Sequence, residues 1–336
     1  MNGLFRADWI RLGHRRTLQI IVIAIPLMAA TFFLLGFRST DVQFYFDEAT
    51  ERAQLTDSFS QQGMSDADVK AQVDEIIDQE RASYDQMRLQ VEATRATYAF
   101  PASVLTLFTS STVVYLFGML LLTSATLGDE FGWGTIRTSL LASSDRGRWL
   151  TARFMLLGGV AVVALAALLL LSFVLPFAIS AVVGQLPQPP PVNIGALAVV
   201  VGGILVTALA LVGFGAAATL VMRSGSLSLV AALVYVLVET AVVGLLGRLE
   251  PFRPADFFGD GKPAGPLVWA LNVFPVHAFE ALLSTATQVA VKPPYDTGGV
   301  LPAISDTYLP LATLAAWAVI FVTVAMVRFR RMDIAE

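Results

Sequence analysis

The sequence predicts an all-α integral membrane protein with six transmembrane helices, and three observations carry that prediction. Of 336 residues, 56% are hydrophobic and 14% charged, with a mean hydropathy of +0.69, too apolar for a domain whose surface must meet water. Uninterrupted apolar runs recur at the length of roughly 20 residues that a helix needs to cross about 30 Å of hydrocarbon. Arginine collects in alternate connecting segments, the charge asymmetry of a multi-pass protein. Alternation at a two-residue period, as in a membrane β-barrel, is absent.

The elements follow in chain order. Residues 1–17 predict a cytoplasmic interfacial (elbow) helix, with Phe5, Trp9 and Leu12 on one face and Arg6, Asp8 and Arg11 elsewhere. Residues 18–37 form the first span. Arg15 and Arg16 precede it and Met28, Ala29 and Ala30 lie within it, but the run is too long for the apolar region of a secretory signal and reads as an uncleaved span. The segment 38–100 is an extracytoplasmic loop whose second half reads as a helix, a stalk or helical hairpin. Ser65 and Asp68 open it in the manner of a capping box, and Val69, Val73, Ile76, Tyr84, Met87, Val91 and Tyr98 recur at three- to four-residue steps. Its apolar stripe is too thin for an independent core, so it is either a solvated spacer or packs on a neighbouring copy or partner.

Spans two to five are expected at 103–127, 151–183, 194–222 and 227–246. The third and fourth are long enough to tilt or project, and Pro176 is a candidate kink in the third. Between the fifth and sixth spans, 248–307 is a second extracytoplasmic segment. Within it Leu267 to Val291 is apolar again but interrupted by Pro275, His277 and Glu280, which predicts re-entrant or interfacial helices dipping into the outer leaflet. The sixth span is 308–327, followed by a cytoplasmic tail, 328–336.

Orientation comes from the arginines. Arg6, Arg11, Arg15 and Arg16, then Arg137, Arg146, Arg148 and Arg153, then Arg223, then Arg328, Arg330 and Arg331 fall in segments poor in acids, placing both termini in the cytoplasm. The opposite segments hold Lys70, Lys262 and Lys292 but also most acidic residues. This is the topology of a multi-pass protein of the plasma (inner) membrane.

Chemistry is mostly excluded. There is no cysteine, hence no disulfide or thiolate metal site. A net charge of −4 leaves no basic footprint for nucleic acid. The only Gly-Lys pair, Gly261-Lys262, runs into Pro263, so the phosphate cradle of a P-loop is missing. His14 and His277 are the only histidines and fall on opposite sides of the membrane, and neither H-E-x-x-H nor G-x-S-x-G occurs. The chain is therefore expected to have no enzymatic activity, catalytic residue, bound metal or cofactor of its own.

Glu239 is the one ionisable residue placed inside a span, where a charge costs roughly 2.5–3.5 kcal/mol on insertion scales. It reads either as a contact for cargo or protons or as a packing carboxyl, paired with Arg248 or a loop residue. His277 and Glu280 are three residues apart near the outer mouth, either a helix-stabilising pair or, with Glu239, part of a translocation path.

The segment 128–150 between the second and third spans is the most distinctive. Asp129 and Glu130 close the second span, Gly132 and Gly134 permit a turn, and Thr135 to Leu141 predicts a short helix with Ile136, Leu140 and Leu141 apolar. Ser143, Ser144 and Asp145 break it, and Arg146, Arg148 and Arg153 anchor the next span at the inner surface. An acidic pair, then Gly134-Thr135-Ile136-Arg137, Leu140-Leu141, a polar turn and Arg146 nine residues after Arg137 form a pattern. It resembles the first cytoplasmic loop of the ABC type-2 permeases, the transmembrane subunits of type V ABC exporters. Glu130, Gly134, Thr135, Ile136, Arg137, Leu140, Leu141, Arg146 and Arg153 map onto the family pattern, while Ser143-Ser144-Asp145 stands where the family usually has a proline. The elbow helix, six spans, Arg223 turn and re-entrant helices are family-like in layout; the first outer loop is larger than in minimal members.

The resemblance implies a permease subunit that acts with a second permease copy or paralogue and two ABC ATPase subunits, ATP and Mg being bound on those partners. It implies that 128–150 is the coupling loop, Gly132 to Leu141 the main docking element, and the Arg223 turn an accessory one. The alternative from another class is a membrane sensor or scaffold subunit whose outer stalk binds a ligand or partner. Cargo is not specified, although few buried charges suit an amphipathic or lipid-like molecule better than an ion. Gly158, Gly159, Gly202, Gly203, Gly213 and Gly215 suit close helix packing.

Overall fold

The computed structural model describes residues 16–40, 47–61, 65–132, 146–249, 273–290 and 307–332. Within them the chain is all-helical: α1 Arg16–Ser39, α2 Glu48–Gln61, α3 Asp66–Ala96, α4 Ser103–Gly132, α5 Arg146–Val183, α6 Ile194–Met222, α7 Gly225–Leu249, α8 Pro275–Ala290 and α9 Tyr308–Arg331. Six of these, α1, α4, α5, α6, α7 and α9, are long and apolar enough to cross a membrane. The protein is thus a multi-pass membrane protein by architecture. Residues 1–15 of the expected elbow helix, the Thr135 to Leu141 helix and the stretch from Leu267 to Asn272 lie outside the described residues, while Arg16 and Thr17 already belong to α1.

Helices α4 and α6 form the centre. α6 packs against α9, α4, α8, α7 and α5, and α4 against α6, α1, α7 and α5. Small residues bring the axes together, since lipid tails give no hydrophobic drive for helix association and close van der Waals packing must supply it. A Cβ on Gly128 of α4 would lie 2.3 Å from the Gly225 Cα of α7, so the two backbones are in direct contact. Gly203, Gly213 and Gly215 of α6 meet α8, α9 and α4 respectively, whereas nothing lies within 4 Å of a Cβ built on Gly202.

Most buried hydroxyls among the described residues, Ser124 excepted, bond to protein groups, as the low dielectric requires. Tyr115 donates to the Ala161 carbonyl at 3.0 Å and Ser103 to that of Ser172 at 2.8 Å, tying α4 to α5 at two levels. The outward faces are large and apolar: Leu27, Leu170, Leu237 and Val319 are each more than 60% exposed, a surface that suits lipid and not water. α5 is continuous through Pro176 and 38 residues long, about 57 Å at 1.5 Å per residue, well beyond the hydrocarbon thickness.

α2 and α3 form a hairpin of their own. Ser65 caps α3, its hydroxyl accepting from the Asp68 amide at 3.4 Å. The stripe closes on Val69, Val73 and Ile77, packed on Leu55 and Phe59 of α2; Ile77, rather than Ile76, takes the inward position. Arg52 bridges Glu48 and Asp74, and Arg81 reaches Glu48. At its base, Tyr98 packs edge-on against Phe33 and Phe37 of α1, and Arg95 donates to Thr40.

Candidate functional site

Two places in the bundle gather polar side chains. The first is at the end where α4 stops and α5 begins. α4 continues to Gly132 instead of closing at Leu127, so Glu130 lies inside the helix and is fully buried. α5 starts at Arg146, and Arg153 falls two turns in. Its Nη2 donates to Glu130 Oε1 at 2.6 Å, with both side chains at most 1% exposed. The expectation that Arg153 anchors the span at the inner surface is therefore corrected: it is a buried partner, because Glu130 neutralises it and Trp149, one turn earlier, places its ring 5.1 Å from the guanidinium. Trp149 stacks in turn on Phe329 of α9, at 5.2 Å between ring centres.

Around this pair Leu127, Leu150, Leu220 and Phe329 complete an apolar nest from four helices, with Met332 just past the end of α9. Arg146 does what an end-of-span arginine is expected to do in a different way, donating to the Met332 carbonyl at 2.8 Å at the end of α9. Gly134, Thr135, Ile136, Arg137, Leu140 and Leu141 lie outside the described residues. What the structure supplies is the frame that holds their two ends.

The same end carries the turn between α6 and α7. Arg223 closes α6 in the left-handed region, with φ 52°, a conformation that usually selects glycine or asparagine. Between this turn and α4 lies a cavity of about 430 Å³ bordered by Asp129, Arg223, Ser224 and Ser226.

The second polar place is toward the hairpin end. Glu239 of α7 is 3% exposed, and its Oε1 accepts from the amides of Val276 at 2.6 Å and His277 at 3.0 Å. These are the first free N–H groups of α8, and Pro275 sits at the first helical position, where its missing N–H costs nothing. A carboxylate from a neighbouring helix thus caps α8 and meets the positive end of its dipole. Glu239 is held by backbone amides; the Arg248 side chain, the other partner considered, lies outside the described ones.

Glu239, His277 and Glu280 come together: with Thr240, Val243 and Val276 they line one cavity of about 170 Å³. α8, 16 residues long, is not one of the six spans. On it, burial pushes the His277 imidazole down, and burial together with the Glu239 charge pushes the Glu280 carboxyl up. Among the described residues no three such side chains are placed to hold a metal ion.

Sequence reasoning named Glu130 and Arg153 but not their pairing, and Glu239 but not its role as a cap. The signals were present. Opposite charges flank one short loop, Trp149 and Arg153 are spaced i, i+4, and Pro275 marks a helix start in need of an acceptor. No protein-family model matches the chain, and no characterised protein matches it significantly.

Proposed function

We propose that this chain is the membrane-spanning permease subunit of an ATP-binding cassette exporter, driven by a separate ATPase that docks on the 128–153 segment. The observation that carries the reading is the buried Glu130–Arg153 ion pair joining the two helices from which the coupling loop hangs. A docking loop must pass force on to the bundle, and a loop whose two ends are bound to each other and to α9 moves with those helices as one body. The loop pattern from Glu130 to Arg146 and the placement of arginines support the same reading. On it, both termini and the Arg223 turn face the cytoplasm, the α2–α3 hairpin stands outside the plasma membrane, α8 is re-entrant, and two permeases work with two ATPases that bind ATP and Mg. Closure of the ATPase dimer then tilts α4 and α5 and reshapes the path between permeases.

The test is reconstitution with the candidate ATPase. Arg137→Glu or Gly134→Pro should leave the chain in the membrane and abolish the coupling of ATP hydrolysis to transport. If both variants keep complex formation and transport, the reading fails. A stoichiometric kinase-like partner in place of an ATPase supports the sensor alternative.

A further inference from the structure

Glu239 is more than a helix cap. Its Oε1 is used by the α8 amides, but Oε2 is buried and makes no hydrogen bond. The Tyr235 hydroxyl interacts with the carboxylate without closing a hydrogen bond to Oε2, so this oxygen keeps acceptor capacity that water fills elsewhere. The cavity that Glu239 lines, about 170 Å³, exceeds the roughly 30 Å³ share of one water several-fold. Its polar lining is the carboxylates of Glu239 and Glu280, the imidazole of His277 and Thr240, whose hydroxyl donates to the Val236 carbonyl, and its apolar walls are Val243 and Val276.

An aromatic row runs beside this place on α7, α6 and α9, outside the lining of the cavity itself. Tyr235, one turn before Glu239, directs its hydroxyl toward the carboxylate and packs on Phe214 at 5.2 Å. Phe214 packs on Phe321 at 5.0 Å and Phe321 on Trp317 at 5.0 Å. Trp317 closes the row by donating its indole N–H to the Val273 carbonyl, just before α8, at 2.7 Å. Paired acids above apolar walls suit a cation that has both N–H donors and an apolar body, the charge meeting the carboxylate and the body the side chains of Val243 and Val276.

We propose that the cavity between α7 and the N-terminus of α8 is a binding site for an organic ammonium compound, whose protonated amine donates to Glu239 Oε2. Glu280, on the exposed rim, adds a second negative charge that draws the ligand in. Within the permease reading this names the class of cargo, and that clause alone rests on it; the site itself belongs to this chain without a partner.

The experiment uses the full chain alone in phosphatidylcholine nanodiscs, a lipid with no N–H donor. Titration calorimetry at neutral pH compares phenethylammonium with phenethyl alcohol and 3-phenylpropionate, the neutral and anionic counterparts. Saturable binding of the amine at least tenfold tighter than either counterpart is expected. Glu239→Gln keeps an amide oxygen to cap α8 but removes the charge, and should weaken the amine at least tenfold. Val243→Trp fills the cavity and leaves the cap untouched, with the same expected loss. Equal binding of alcohol and amine, no saturable binding of the amine, or wild-type affinity in both variants overturns the proposal. Repeating the titration with phosphatidylethanolamine in the disc separates the sources: competition by that lipid assigns the site to a headgroup, its absence to a soluble amine, and either supports an ammonium site. Because no ATPase is present, failure here leaves the permease reading standing, and failure of the ATPase reconstitution leaves this site standing.

Discussion

Removing one member of the Glu130–Arg153 pair should unbalance the protein more than any other single change at that end. The two side chains are at most 1% exposed and 2.6 Å apart, inside an apolar nest that includes Leu127, Leu150, Leu220 and Phe329. Breaking a buried pair by deleting one partner costs about 3–5 kcal/mol, because the survivor is left as an uncompensated charge. Against a typical total of about 5–15 kcal/mol, that is about a fifth or more. The two single changes should not be equal. A stranded carboxylate can shed its charge by taking up a proton, whereas a guanidinium cannot, so Glu130→Leu should cost more than Arg153→Met. The double variant Glu130→Leu/Arg153→Met replaces the pair by apolar groups of similar size and should recover most of the loss. Unfolding in mixed micelles followed by tryptophan fluorescence reads all four proteins, and the double-mutant cycle isolates the coupling. If each single variant stays within about 1 kcal/mol of the parent, or the double is no better than Glu130→Leu, the pair does not hold α4 to α5.

Two further outcomes follow from the packing and the hairpin. Gly128→Ala places a Cβ 2.3 Å from the Gly225 backbone, forcing α4 and α7 apart at about 1–3 kcal/mol; Gly202→Ala, with open space around it, should be neutral or gain about 0.5–1 kcal/mol, and thermal midpoints in one detergent compare them. In the hairpin, hydrogen bonds from Arg52 and then Arg81 hold the Glu48 carboxyl below the usual range. A lowered folded value stabilises above the unfolded pKa of about 4.3 and is lost as pH falls through the folded one. Hydrogen exchange in α2 and α3, corrected for its intrinsic rate, should therefore rise from pH 5 to pH 3 in the parent and change less in Glu48→Gln; identical profiles would contradict the assignment.

How much of this was legible beforehand varies with the range of the interaction. Span positions are a property of local composition: α6 is predicted at 194–222 and runs Ile194–Met222. Helix ends near the loops were less legible, since α4 continues to Gly132 and α5 begins at Arg146. Charge in a sequence reads as a surface, and only the fold shows that Glu130 and Arg153 neutralise each other inside. The hairpin illustrates the same limit at one residue: three- to four-residue spacing admits Ile76 or Ile77, and the position of Leu55 and Phe59 selects Ile77.

The sequence alone determined that this is a helical membrane protein, because every stretch of 20 apolar residues must satisfy its backbone within itself once water is gone. It also determined that charge is kept to the connecting segments and span ends, with Glu239 the exception. The tertiary structure decided what these charged groups do. Glu130 meets Arg153 across a loop, and Glu239 meets the amides of α8 37 and 38 residues away. Such pairings depend on which helix faces which, set by the fit of Gly128 on Gly225 and of Gly203 on Leu282. No local pattern encodes that fit, because it is a property of two surfaces brought together.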